Sequence, residues 1–493
     1  MVALIPQPLH VDAGDGHLVL VAAHVRSEGL GDAAAGAEAV VSDVLAARGV
    51  GLRDAADAPG APGVVPVVLR LDPDAGPAGS TSEERYTLVV DADGVVLSAP
   101  GRVGLLHAAQ TLRQLAEPAD EVGTAGGTAR VPHVVVHDAP RYPWRGLSVD
   151  VARHFFGLDQ LREVVDVAAA YKLNVVHLHL TDDQGWRIET PSRPELVRVS
   201  SDSDVSGGPG GYLSLDDFHA LQEHAAGRGV RVVPEIDLPG HVNAATHAYG
   251  ELRPDGVPTD AYQGIEVGFS RLTFDLPATE PFLRDVLTDL ARATAGEHVH
   301  LGGDEVLTME ADEYARFVEL GERVVREAGK TPVVWQEAAK APLRPGAVVQ
   351  YWDTNATDLA YLVEAARTGA RVVLSPANRV YLDMKYTEDF PLGLKWAGYV
   401  ELRDAYDWEP EDVVDALPAA AIEGVEAAVW TETLATTEDL FTMLLPRLSA
   451  VAEVAWSAPK RKDWDDYRRR VAHEAASWRR DGRAFHPTPQ VDW

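Results

Sequence analysis

The feature that most restricts the fold is a rhythm. From about Ala139 onward, short apolar runs rich in β-branched residues recur at 144–150, 174–180, 230–237, 298–303, 332–337, 347–352, 371–376 and 427–432. Helical stretches separate many of them; in 158–172, Leu161, Val164, Val165 and Ala168 fall on one stripe at helical spacing. Strand, helix and parallel strand make one βαβ unit, and this repetition predicts a closed (β/α)8 TIM barrel, an α/β fold, over 139–493. The competing architecture, an open doubly wound sheet, lacks its G-x-G-x-x-G fingerprint after the first strand. The basic, tryptophan-containing tail, about 460–493, is expected to pack as a terminal helix.

Residues 1–138 read differently, as a small α+β domain with no evident chemistry. Tyr86 to Val90 and Val95 to Ser98 are apolar strands joined by Asp91-Ala92-Asp93-Gly94, a hairpin turn signal. A helix is expected over 104–115, a loop over 121–130 and a short strand at Val134-Val135-Val136.

Composition narrows the function. With 76 Asp and Glu against 44 Lys and Arg, the formal charge is -32. Such a surface repels nucleic acid and anionic membrane and favours solubility. The chain has no cysteine, which removes disulfides, thiolate metal sites and cysteine nucleophiles. The N-terminus lacks a basic and an apolar signal region. The expected location is therefore cytoplasmic, or secreted if a leader has been removed.

The expected strand ends carry the chemistry, because a barrel gathers its catalytic groups where the strands finish. The first leads to Asp150 and Arg153, the second to His177, His179, Asp182 and Asp183, the third to Glu235, Asp237 and His241. The fourth ends Gly302-Gly303-Asp304-Glu305, and others end at Trp335, Trp352, Trp430 and Glu432. Carboxylates with tryptophans suit sugars: indole faces stack on pyranose C–H faces, and a carboxylic acid protonates a leaving glycosidic oxygen. Asp304 and Glu305 are the obvious pair. Adjacent strand residues face opposite sides, so they share a site only where the pleat breaks, as the two glycines suggest. Close carboxyls push each other's pKa apart, leaving one as acid and the other as an ionised helper. The pairs His177-x-His179 and His298-x-His300, with Asp182 or Asp237, have metal-ligand chemistry, but histidines in a barrel commonly satisfy buried polar groups. No metal or cofactor is expected.

Six segments in order, from Asp150-Val-Ala-Arg153-His-Phe-Phe through His177-Leu-His-Leu-Thr-Asp-Asp-Gln-Gly-Trp186-Arg187, Pro234-Glu-Ile-Asp-Leu-Pro-Gly-His241, His300-Leu-Gly-Gly-Asp-Glu305 and Tyr381-Leu-Asp-Met-Lys-Tyr386 to Trp430-Thr-Glu432, resemble glycoside hydrolase family 20, the β-N-acetylhexosaminidases. The likeness spans nearly the whole chain. It implies removal of terminal β-linked N-acetylglucosamine or N-acetylgalactosamine with retention, through an oxazolinium formed by the substrate's own acetamido group. It implies Glu305 as acid/base, Asp304 orienting the acetamido group and Tyr381 bonding its oxygen. Trp335, Trp352 and Trp430 become pocket walls, Arg153, Asp383 and Glu432 hydroxyl binders, and Asp182 and His241 partners reaching Glu305. Two alternatives stay open: a lacto-N-biosidase releasing disaccharides, and a non-catalytic sugar-binding protein on the same fold.

Overall fold

The computed structural model describes residues 2–28, 33–53, 63–118, 128–355 and 359–493. Eight parallel strands close into a barrel: Trp144–Asp150, Val175–His179, Arg231–Glu235, His298–His300, Thr331–Trp335, Val348–Tyr351, Arg371–Leu374 and Ile422–Val429, the last pairing with the first. Seven coincide with the expected runs, several trimmed at one or both ends. The eighth begins at Ile422, five residues before the expected 427, because Ile422, Gly424 and Val425 pair with the seventh strand. Both faces of these strands are buried, so they read as continuous apolar runs.

The N-terminal domain is richer in strand than its sequence suggests. The hairpin Tyr86–Val90/Val95–Ala99 and the helix Arg102–Leu115 form as expected. The strand expected at 134–136 is Ala129–Asp138, so Ala129 and Arg130 are strand rather than loop, and 121–127 lie outside the described residues. His10–Leu20, Ala22–Glu28 and Val64–Leu71, with the short strands Gly51–Leu52 and Glu117–Pro118, complete the mixed sheet, and Ala33–Ala46 adds a second helix. The domain is bolted to the barrel. Trp456, from the barrel helix Arg447–Trp456, packs into the N-terminal core and donates its indole N–H to Asp138 at 3.0 Å. The buried Lys172 reaches the same carboxylate at 3.1 Å and the Tyr86 hydroxyl at 2.8 Å. The tail forms the helix Trp464–Arg480. Among the described residues no helix is long and apolar enough to cross a membrane.

The barrel interior holds a polar layer. Glu235 takes the Trp335 indole N–H at 2.8 Å and lies 2.6 Å from His179 Nδ1, 3.0 Å from His300 Nδ1 and 3.1 Å from His177 Nε2. Glu426 accepts the Trp144 indole N–H at 2.7 Å and Gln350 at 3.0 Å, and lies 2.9 Å from His177 Nδ1. A Cβ at Gly146 would meet Glu426 Oε2 at 2.1 Å, so only glycine makes room for it.

Candidate active site

The site forms where the strands finish. Asp150 ends the first strand and accepts the Ala152 and Arg153 amides at 2.7 and 3.1 Å and the Thr431 amide at 3.0 Å. This locks the Arg153 turn to the end of the eighth strand. The Arg153 guanidinium then lies 3.5 Å from Asp150, 2.9 Å from Asp182 and over the Trp430 ring at 5.1 Å. Burial disfavours its charge, but Asp182, Asp150 and Glu432 outweigh that and hold it firmly protonated.

From Asp182 a chain of ionisable groups runs to Glu305. His179 Nε2 lies 2.8 Å from Asp182 Oδ2, Asp182 Oδ1 lies 3.1 Å from His241 Nδ1, and His241 Nε2 lies 3.3 Å from Glu305 Oε2. Burial opposes the Asp182 charge, yet Arg153, His241 and His179 hold its pKa well below the usual range. The same ion pairing, against burial, raises the His241 imidazole well above an ordinary histidine.

The fourth strand ends at His300, and the chain turns sharply: φ is +70° at Gly302, +109° at Gly303 and +50° at Glu305. A Cβ at Gly302 would sit 1.7 Å from Asp237 Oδ1, so glycine is required for Asp237 to come this close. Asp237 accepts the Gly303 amide at 3.0 Å, and its polar atoms lie within 4.8 Å of His241 and Asp304. The sequence expectation needs correction here. Asp304 is coupled less to Glu305 than to Asp237. Burial first, then Asp237, pushes the Asp304 pKa well up, while burial with Glu235 raises Asp237 to about 7. Burial and the neighbouring Asp237 thus both oppose ionisation of Asp304, which is not left as a freely ionised helper. Glu305, by contrast, reaches the open cavity with its side chain 29% exposed.

A cavity of about 320 Å³ opens here, lined by Arg153, Asp182, His241, Asp304, Glu305, Trp352, Tyr381, Trp430 and Glu432. Nine of the eleven expected site residues therefore meet. Trp335 and Asp383 do not line it. Trp335 is fully buried one layer down, its indole turned to Glu235 and its ring 6.1 Å from Trp430, so it is a floor rather than an exposed wall. Asp383 is buried; its carboxyl makes no hydrogen bond to another side chain, and burial and Glu432 raise its pKa. The segment carrying Tyr381 and Asp383 is held by the buried Arg447, which donates to the carbonyls of Leu382, Met384 and Val400 at 2.6, 2.8 and 2.7 Å.

Two contributors had no site role on sequence grounds, and a third had a different one. Trp396 lines the cavity, as do Ile265 and Val267, and packs edge-on against Trp352 and Tyr381. Asp237 figured only as a metal-ligand candidate, though its strand-end position pointed to the rim. Glu337, just after the fifth strand, accepts the Trp352 indole N–H at 3.1 Å. The expected metal-type histidines divide. His177 and His300 join Glu235 inside the barrel, whereas His298 packs against Trp144 away from them.

Paired carboxyls, an imidazole relay and clustered indoles at the C-terminal rim of a (β/α)8 barrel define a carbohydrate-cleaving hydrolase. The comparisons make this specific. Residues 142–315 and 307–459 match the model of glycosyl hydrolase family 20, catalytic domain, and residues 1–139 match glycosyl hydrolase family 20, domain 2. The chain is 53% identical to a beta-N-acetylhexosaminidase of Cellulomonas fimi, over 100% of this chain and 97% of the relative. It superposes on a Streptomyces plicatus beta-hexosaminidase mutant in complex with product GlcNAc with a TM-score of 0.93, at 41% identity, covering 100% of this chain and 98% of that one. A Streptomyces coelicolor GH20 beta-N-acetylhexosaminidase gives a TM-score of 0.90 at 40% identity, covering 100% and 99%. The chain belongs to glycoside hydrolase family 20.

Proposed function

We propose that the protein is a retaining exo-β-N-acetylhexosaminidase that cleaves terminal β-linked N-acetylglucosamine or N-acetylgalactosamine by substrate-assisted catalysis. One observation carries the mechanism: the two adjacent carboxyls are held in different ways. Glu305 faces the open cavity against the charged His241, whereas Asp304 is buried and tied to Asp237. That suits a proton donor beside an orienting group, not a donor beside a free nucleophile.

In this reading the acetamido oxygen attacks the anomeric carbon while the bond to the leaving oxygen breaks and that oxygen takes the Glu305 proton. The acetamido nitrogen, which gains positive charge, keeps its N–H toward the Asp304 carboxyl. The Tyr381 hydroxyl donates to the acetamido oxygen. Water then attacks the anomeric carbon, gives a proton to Glu305 and reopens the ring, so two inversions retain configuration. Trp352, Trp430 and the underlying Trp335 enclose the acetamido methyl and sugar ring. Arg153 and Glu432 take hydroxyls at the closed end of the pocket, with Asp383 buried behind Glu432, which favours one terminal sugar over a disaccharide.

The test uses nitrophenyl β-glycosides. The N-acetylglucosaminide is expected to be cleaved and the plain glucoside to be nearly inert. A bicyclic thiazoline is expected to bind far more tightly than N-acetylglucosamine, because it mimics the cyclic intermediate. Trapping a glycosyl ester on any carboxylate with a fluorosugar would overturn the mechanism.

A further inference from the structure

Trp352 is shared by two cavities. It lines the sugar cavity, where its ring lies nearly parallel to Tyr381, with centroids 6.3 Å apart and planes 13° apart. Together with Glu305 it also lines a second cavity of about 620 Å³, bordered in part by Leu307, Met309, Glu337 and Asp353. A wall with open space beside it depends on what grips it. Tyr381 and Trp396 pack against the ring, and the polar grip comes from the two residues after the fifth strand. Gln336 Oε1 accepts the backbone amides of Trp352 and Asp353 at 2.8 and 3.0 Å, which fixes the backbone but leaves the indole free to turn. The indole itself has one polar anchor: its N–H donates to Glu337 Oε2 at 3.1 Å.

Resting on the reading of Trp352 as a wall of the acetamido pocket, we propose that Glu337 is a positioning residue that pins the Trp352 indole and so limits the size of N-acyl group the pocket accepts. Burial, then Asp304, pushes the Glu337 pKa up to about 8, so below neutrality it is a neutral acid whose oxygen accepts the indole N–H. Glutamine at this position is close to it in shape and charge and keeps an acceptor. Alanine removes the acceptor and lets the indole swing toward the second cavity.

The experiment measures kcat and KM at pH 6 for nitrophenyl N-acetyl- and N-propionyl-β-glucosaminides with the parent, Glu337→Gln, Glu337→Ala and Trp352→Phe. Losing one hydrogen-bond anchor is expected to lower the N-acetyl to N-propionyl ratio of kcat/KM about three- to tenfold in Glu337→Ala, mainly through KM. Glu337→Gln is expected to restore the ratio to near the parent's value. Glu337→Leu carries the same expectation as alanine should the smaller residue fail to fold. An unchanged ratio in the acceptor-less variant, or a glutamine variant as altered as the alanine one, overturns the inference if Trp352→Phe does shift the ratio. An unchanged ratio in Trp352→Phe overturns the wall assignment and this inference with it.

Discussion

The barrel interior and the barrel rim treat buried carboxyls in opposite ways. Inside, Glu235 has three imidazoles and an indole N–H around it, and His300, His179 and His177 overcome burial to hold its pKa well below the usual range. At the rim, Asp237, Asp304 and Asp383 are buried and Glu337 is partly so, and burial followed by a neighbouring carboxyl raises every one: Glu235 for Asp237, Asp237 for Asp304, Glu432 for Asp383 and Asp304 for Glu337. The interior charge is matched by the protein itself and serves the fold. Among these rim acids, Asp304 lines the cavity and is left to be matched by the substrate, through an acetamido N–H and a charge that appears only during reaction.

The contrast breaks most visibly in stability. Glu235→Gln removes the charge that three buried histidines lean on, and should cost about 3–5 kcal/mol in denaturant unfolding. Asp304→Asn should leave unfolding nearly unchanged while lowering kcat/KM on N-acetyl substrates about 10²- to 10³-fold, the usual size for a group aimed at developing charge. A rim variant that unfolds as readily as the interior one would erase the distinction.

A smaller effect sharpens it through pH. Folded Glu337 keeps its proton up to about pH 8, whereas in the unfolded chain an ordinary glutamate loses it near 4. Between those values the unfolded state binds fewer protons, so this residue lowers stability as pH rises. Glutamine has no proton to lose. The melting temperature of Glu337→Gln should match the parent's at pH 4 and exceed it by on the order of 2 °C at pH 8. A difference that is constant with pH would mean Glu337 is not held neutral.

The same division marks what the sequence makes legible. Barrel strands buried on both faces announce themselves as β-branched runs, and so do the glycines and carboxyls at their ends. His10–Leu20 does not, because most of its residues are exposed and polar and no apolar alternation survives. At the rim, Arg153, Asp304, Glu305, Tyr381 and Glu432 are readable as a pattern along the chain. The partnerships are not. Asp304 meets Asp237 across strands because the chain reverses at Gly302, and Glu337 meets Trp352 because the fifth and sixth strand ends lie side by side. Such pairings depend on backbone angles and strand register, which residue type alone does not specify. In the aromatic-rich segment after the seventh strand, residue type does not say which rings face the cavity: Trp396 does, whereas Tyr386 is buried against Arg447.

The central claim is that Glu305 is the one rim acid that delivers a proton to the departing oxygen. Comparing the parent with Glu305→Gln on chitobiose and on nitrophenyl N-acetylglucosaminide tests it most directly. Chitobiose has a poor leaving group and needs the proton, so the loss should reach about 10²- to 10⁴-fold. Nitrophenol leaves without much help, so its loss should be markedly smaller. An equal loss on both substrates would contradict the account and place the acid on another residue.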